Sequence, residues 1–269
     1  MLLRLLLPSS DRSGRTAHAF RWRGDGVSRI EGLSDAVFGF AITLVAVSLE
    51  VPRTASELLH NALGFIPFVA SFLMLFFFWR SQFEFFRRYG LEDERTIWTT
   101  GLLLVSVLFL IYPLKFLFTV FSDAIMAGDV AKDRLRLEQF PAVLALYALG
   151  FLGVGAAFTL LYRHAHHERT RLELTEFEAF ETMAKYRGWR GATLVIAAML
   201  IWTCALAVTH GSLRSGNGPF PWIYYGGLVA VMLLSLSQRF GRKQINRERA
   251  ALLARLSVDD GGGTPMTLE

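Results

Sequence analysis

The chain holds a single cysteine, Cys204, in 269 residues, which excludes an internal disulfide and a thiolate cage for zinc. Charge is scarce as well: Asp, Glu, Lys and Arg make up 19% of the residues, below the roughly 25% of an ordinary globular domain. What charge there is lies in clusters, and the intervening stretches run for about 20 residues almost without it. A chain this apolar is not disordered, because disorder requires low hydrophobicity and high charge. Motifs of hydrolytic or nucleotide chemistry are missing too: the sequence has no HExxH, no GxSxG and no Walker loop.

Apolar residues are abundant instead, at 53% with a mean hydropathy of +0.38. Six stretches are long enough to cross a hydrocarbon core of roughly 30 Å: Gly32–Val51, Leu58–Trp79, Ile97–Phe118, Phe140–Tyr162, Gly191–Thr209 and Phe220–Leu236. Of the 28 Lys and Arg residues, 22 fall in the N-terminal tail, the second and fourth loops and the C-terminal tail. The other six are Arg53, Lys115, Lys132, Arg134, Arg136 and Arg214. The positive-inside rule then places both termini in the cytoplasm, and an even number of spans is needed for that. The expected fold is all-α, a polytopic membrane protein with six transmembrane helices.

The net charge of +5 reads as a topology signal in a bilayer, with no nucleic-acid partner. Arg4 interrupts the apolar start, so Met1–Leu7 is not read as a signal peptide. The chain divides into a basic, partly disordered cytoplasmic tail (1–28), the transmembrane domain (29–238) and a cytoplasmic C-terminal tail (239–269).

Between spans four and five, Leu174, Phe177, Phe180 and Ala184 recur at helical spacing among alternating charges over Glu168–Arg187. This predicts a cytoplasmic helix lying against the bundle or the headgroups. His164, His166 and His167 have a poor spacing for a shared metal and read as solvated residues, and Cys204 as a small packed one. Gly150, Gly153, Gly155 and Ala157 make a strip of small side chains that lets another helix approach closely, within the subunit or between subunits.

The spans carry almost no titratable group. Asp35 and Glu50 sit at the two ends of the first, Lys115 near the end of the third, and His210 just past the fifth. Proton-driven transport and intramembrane hydrolysis need such groups at depth. Voltage-sensing arginines and a TVGYG filter are missing as well. A passage lined by apolar and hydroxyl side chains remains, gated by dewetting, and symmetric assembly around one helix per subunit builds it most economically.

Span one opens with Arg29, Ser34 and Asp35, continues through Ile42, Thr43 and Leu44, and closes on Val51 and Pro52. These residues resemble the first-helix signature of the transmembrane protein 175 family, potassium channels of lysosomes and bacteria. That signature reads Arg, any three residues, Phe, Ser, Asp, and Leu33 stands here in place of the Phe. The motif is specific over about 25 residues, with weaker support from Ser71, Phe72, Trp79, Tyr112 and Pro113. It occurs once, as in the single-repeat bacterial type.

The resemblance implies a homotetramer in the cell membrane, permeable to potassium ions, without a cofactor or an enzymatic site. It further implies that the first helix lines a central pore, with a hydrophobic gate at Phe40, apolar layers at Leu44 and Val47, and a selectivity-related hydroxyl at Thr43. At 100° per residue these four share one helix face. Arg29, Ser34 and Asp35 are expected to brace the pore helix against its neighbours by charge-assisted hydrogen bonds. Two positions depart from the family pattern: Phe40 replaces Ile or Leu, and Gln82 stands where a His is common. The rival readings are a six-span secondary transporter, or a nonconducting membrane scaffold of the same fold.

Overall fold

The computed structural model describes residues 20–24, 26–47, 54, 65–126 and 140–212. Within them lie five helices and no strand: α1 (Arg29–Val47), α2 (Phe65–Tyr89), α3 (Glu94–Met126), α4 (Phe140–His167) and α5 (Glu176–Ser212). Four of the five, all but α2, contain a stretch long and apolar enough to cross a membrane. The sixth expected span, the C-terminal tail and residues 1–19 lie outside the described residues.

Helix ends follow local chemistry. At the start of α1, Glu31 N–H donates to Ser28 Oγ (3.1 Å), as an N-cap requires. Helix α5 opens with a reciprocal capping box: Glu178 N–H donates to Thr175 Oγ1 (3.3 Å) and Thr175 N–H to Glu178 Oε2 (3.1 Å). Helix α2 stops at Gly90, whose φ of 57° suits the left-handed end of a helix and whose N–H reaches Phe86 O at 2.8 Å.

Helix α1 packs on α2 and α3, α3 packs on α4, and α4 on α5. The core joins Phe38, Ala41 and Val45 of α1 to Leu75, Phe78 and Phe85 of α2, Leu103, Val107 and Leu110 of α3, and Val154, Phe158 and Leu161 of α4. The glycine strip of α4 serves this packing inside the subunit. A Cβ at Gly153 would collide with Ser106 Oγ, one at Gly150 would come within 2.5 Å of Leu110, and one at Gly155 within 2.7 Å of Thr193 Oγ1. Thr193 and Thr159 share a hydrogen bond (3.0 Å) across the α4–α5 contact that Gly155 opens.

Several boundaries differ from the sequence reading. Helix α2 continues ten residues past Trp79, so Arg80, Arg87 and Arg88 lie on a helix and not in a loop. Hydropathy falls there because of charge, yet Phe85, Phe86 and Tyr89 remain buried and carry the helical face onward. The segment expected as a separate helix over 168–187 is a turn to residue 173 followed by α5, which runs unbroken into span five. Cys204 is exposed on α5, not packed. His164 is not solvated either: its side chain is 12% exposed, with Nε2 2.6 Å from Asp93 Oδ2.

Candidate functional site

Helix α1 has two dissimilar faces. Glu31, Ser34, Phe38, Ala41 and Val45 recur every three or four residues and are buried against α2 and α3. At about 100° per residue, Phe40, Thr43, Leu44 and Val47 fall on the opposite side. All four are exposed: Phe40 by 58%, Leu44 by 39%, Val47 by 75%, and Thr43 with them. Gly39, on the same side, has open space where a Cβ would stand. Thr43 Oγ1 donates its proton to Gly39 O (2.9 Å) one turn back, which leaves the lone pairs of the hydroxyl oxygen for whatever lies outside the helix.

The buried face is held by polar contacts at the start of α1. Trp79 Nε1 donates to Asp35 Oδ1 (2.7 Å). One turn further along α2, Gln82 Nε2 donates to Ser34 Oγ (2.8 Å), and Ser34 passes its own proton to Ile30 O (2.7 Å). Ser34 and Gln82 are both almost fully buried, so this chain is worth more than an exposed pair of the same geometry. Glu31 lies 3.6 Å from Arg87 Nη2, giving α1 a third tie to α2. Arg29 is exposed and forms no ion pair with a described residue. The tie expected of Arg29 is supplied among the described residues by Glu31 and Arg87, and Asp35 takes an indole N–H where a guanidinium was expected.

A strap ahead of α1 completes the assembly, and the sequence reading missed it. Residues 20–24, expected within a partly disordered tail, are pinned between α2 and α5. Arg23 N–H and Gly24 N–H both donate to Arg87 O, at 3.1 and 3.2 Å. Gly24 lies so close to α2 that a Cβ there would come within 2.7 Å of Phe86 O. The Arg23 guanidinium grips Glu178 through both nitrogens (2.6 and 3.2 Å) and donates to Leu172 O (2.7 Å) and Glu173 O (3.1 Å). Arg21 N–H adds a further bond to Glu178 Oε1 (2.7 Å). Burial raises the Glu178 carboxyl, but Arg23 and the N–H groups of Arg21 and Thr175 outweigh it and hold it below its ordinary value. Phe20 stacks edge-on against Tyr89 and lies under the Arg88 guanidinium, 4.5 Å from its ring centre. The Thr175-x-x-Glu178 capping pattern, which the sequence reading did not use, could have marked the start of α5; its partner Arg23, 155 residues from Glu178, carried no such signal.

Residues 29–110, which hold α1, α2 and the first half of α3, match the family model described as the endosomal/lysosomal potassium channel TMEM175. A potassium channel of Marivirga tractuosa is 29% identical over 240 residues, covering 87% of this chain and 94% of its own. A potassium channel of Chamaesiphon minutus is 26% identical over 204 residues, covering 70% of this chain and 94% of that one. Among solved structures, a variant of the potassium channel MtTMEM175, crystallised with a nanobody–MBP fusion, superposes with a TM-score of 0.67 at 27% identity. That match covers 83% of this chain and 97% of the other.

Proposed function

We propose that this chain is a member of the TMEM175 family of potassium channels, which its first three helices and its similarity to bacterial potassium channels support, and that it is a potassium-permeable cation channel whose pore is lined by α1 of four identical subunits. The observation that carries the pore reading is the unburied α1 face of Phe40, Thr43, Leu44 and Val47, opposite the face that holds α1 to its own subunit. An apolar helix leaves such a face bare in a protomer when lipid or another copy covers it, and fourfold assembly around it encloses a passage.

In that arrangement Phe40 forms a constriction that excludes water when closed, because four phenyl rings at one level leave no polar partner for a hydrated ion. Thr43 presents a ring of hydroxyl oxygens that replaces part of the hydration shell. Leu44 and Val47 extend the apolar wall. None of these groups titrates, so permeation is passive and no bond is made or broken. Ser34 and Asp35, held by Gln82 and Trp79, fix the angle at which α1 leaves α2. Six spans are supported by the apolar runs and cytoplasmic termini by the distribution of Lys and Arg, and the cell membrane by the family resemblance. The test is flux from the purified full chain in liposomes: potassium uptake down its gradient, exceeding sodium uptake, is expected. Protein-dependent flux that is absent for both ions overturns the reading.

A further inference from the structure

At the end of the bundle where α3 begins and α4 ends, a cavity of about 840 Å³ opens between α3, α4 and the first turns of α5. Its volume falls in the range of small-molecule sites. Arg95 of α3, Arg163 of α4 and Arg169 of the following turn line it, against a single lining carboxylate, Glu94. Elsewhere at this end of the molecule the guanidinium groups of Arg23, Arg87 and Arg88 each meet a glutamate. The three in the cavity are exposed and meet no carboxylate among the described residues.

His166, on the same wall, sharpens what is missing. Arg169 Nη1 lies 3.2 Å from His166 Nε2. A guanidinium has no lone pair to offer, so it donates, and Nε2 accepts. The ring then carries its proton on Nδ1, which is buried without a hydrogen-bond partner among the described residues. Three exposed guanidiniums lining one cavity, with a single carboxylate among them, offer charge-assisted hydrogen bonds to an anion with several acceptor oxygens, and a phosphate supplies them. Trp98, 73% exposed at the cavity wall, sits as an indole does at the boundary between hydrocarbon and headgroups.

We infer that this cavity binds the phosphate of an anionic phospholipid headgroup, between α3 and α4. The site depends on the membrane placement of the chain and not on whether α1 conducts, so it stands or falls separately from the pore.

The test is a titration of the full-length protein in neutral detergent with phosphatidylglycerol, phosphatidylcholine or inorganic phosphate, read as the thermal unfolding midpoint. Phosphatidylglycerol is expected to raise the midpoint saturably, and the other two are not. The double variant Arg163→Gln/Arg169→Gln should move half-saturation upward by at least about tenfold, the effect of losing one charge-assisted contact. The single variant Arg95→Gln serves if the double variant does not fold, with the same direction expected. Arg80→Gln, which removes one charge on α2 outside the cavity as Arg95→Gln does within it, should leave the titration unchanged. Half-saturation that is the same in the cavity variants as in the wild type would overturn the site. Inorganic phosphate saturating as tightly, with the same arginine dependence, would overturn the lipid as its source.

Discussion

Trp79 and Thr43 act on α1 in opposite ways, one fixing the helix and the other equipping its free face. Trp79→Phe keeps a ring at the position and removes the N–H that reaches Asp35. The expected cost is about 1 kcal/mol, the net worth of a hydrogen bond to a charged group only partly withdrawn from water. It is read as a lower thermal midpoint with no change in oligomer size. Thr43→Ala removes the only hydroxyl among the four side chains on the free face. The potassium-to-sodium flux ratio should fall, while Thr43→Ser, which retains the oxygen, should restore most of it; equal ratios in all three proteins would remove Thr43 from the ion's path. The motif residues on α1 were legible because Arg29, Ser34 and Asp35 stand at fixed spacing ahead of an apolar run. Their partners were not, because Trp79 and Gln82 lie 44 and 48 residues further along and entered the sequence reading only as weaker support for the resemblance and as a departure from a common His.

At the scale of elements, the strap of residues 20–24 ties the entry of α1 to the end of α2 and the start of α5. Glu178 is 2% exposed, so Arg23→Ala leaves a buried carboxylate without its partner. A loss of about 3 kcal/mol is expected, seen as a lower thermal midpoint and as faster proteolysis ahead of residue 29. The same contact sets a pH dependence. The folded carboxyl of Glu178 is held below its ordinary value of 4.5, so its contribution is complete above that pH and is lost as pH falls through the lowered folded value. The stability difference between wild type and Glu178→Gln should therefore be largest near neutral pH and close under acid conditions. Hydropathy found the apolar part of each described helix. It ended α2 too early and separated the start of α5 from span five, because in both places buried aromatics share the helix with arginines and glutamates that pair with one another. Averaging over a window cannot distinguish a paired, half-buried charge from a solvated one.

At the scale of the whole molecule, a single subunit leaves its most distinctive helix half bare. Phe40, Leu44 and Val47 are exposed in the protomer while Phe38, Ala41 and Val45, interleaved with them, are at most 2% exposed. The sequence placed the first set on one face, yet only the fold shows that this face is the one the subunit does not use. On the proposed fourfold assembly, cysteines introduced at Val47 in a Cys204→Ser background should cross-link neighbouring subunits in pairs in the membrane, while the native particle keeps the mass of four subunits. The channel reading rests most directly on the constriction. Potassium flux through purified tetramers in liposomes should increase when Phe40 is replaced by Ala, because removing four phenyl rings widens and wets the narrowest apolar level. Unchanged flux in Phe40→Ala tetramers would contradict a gate at Phe40, and absence of flux from both proteins would contradict the pore itself.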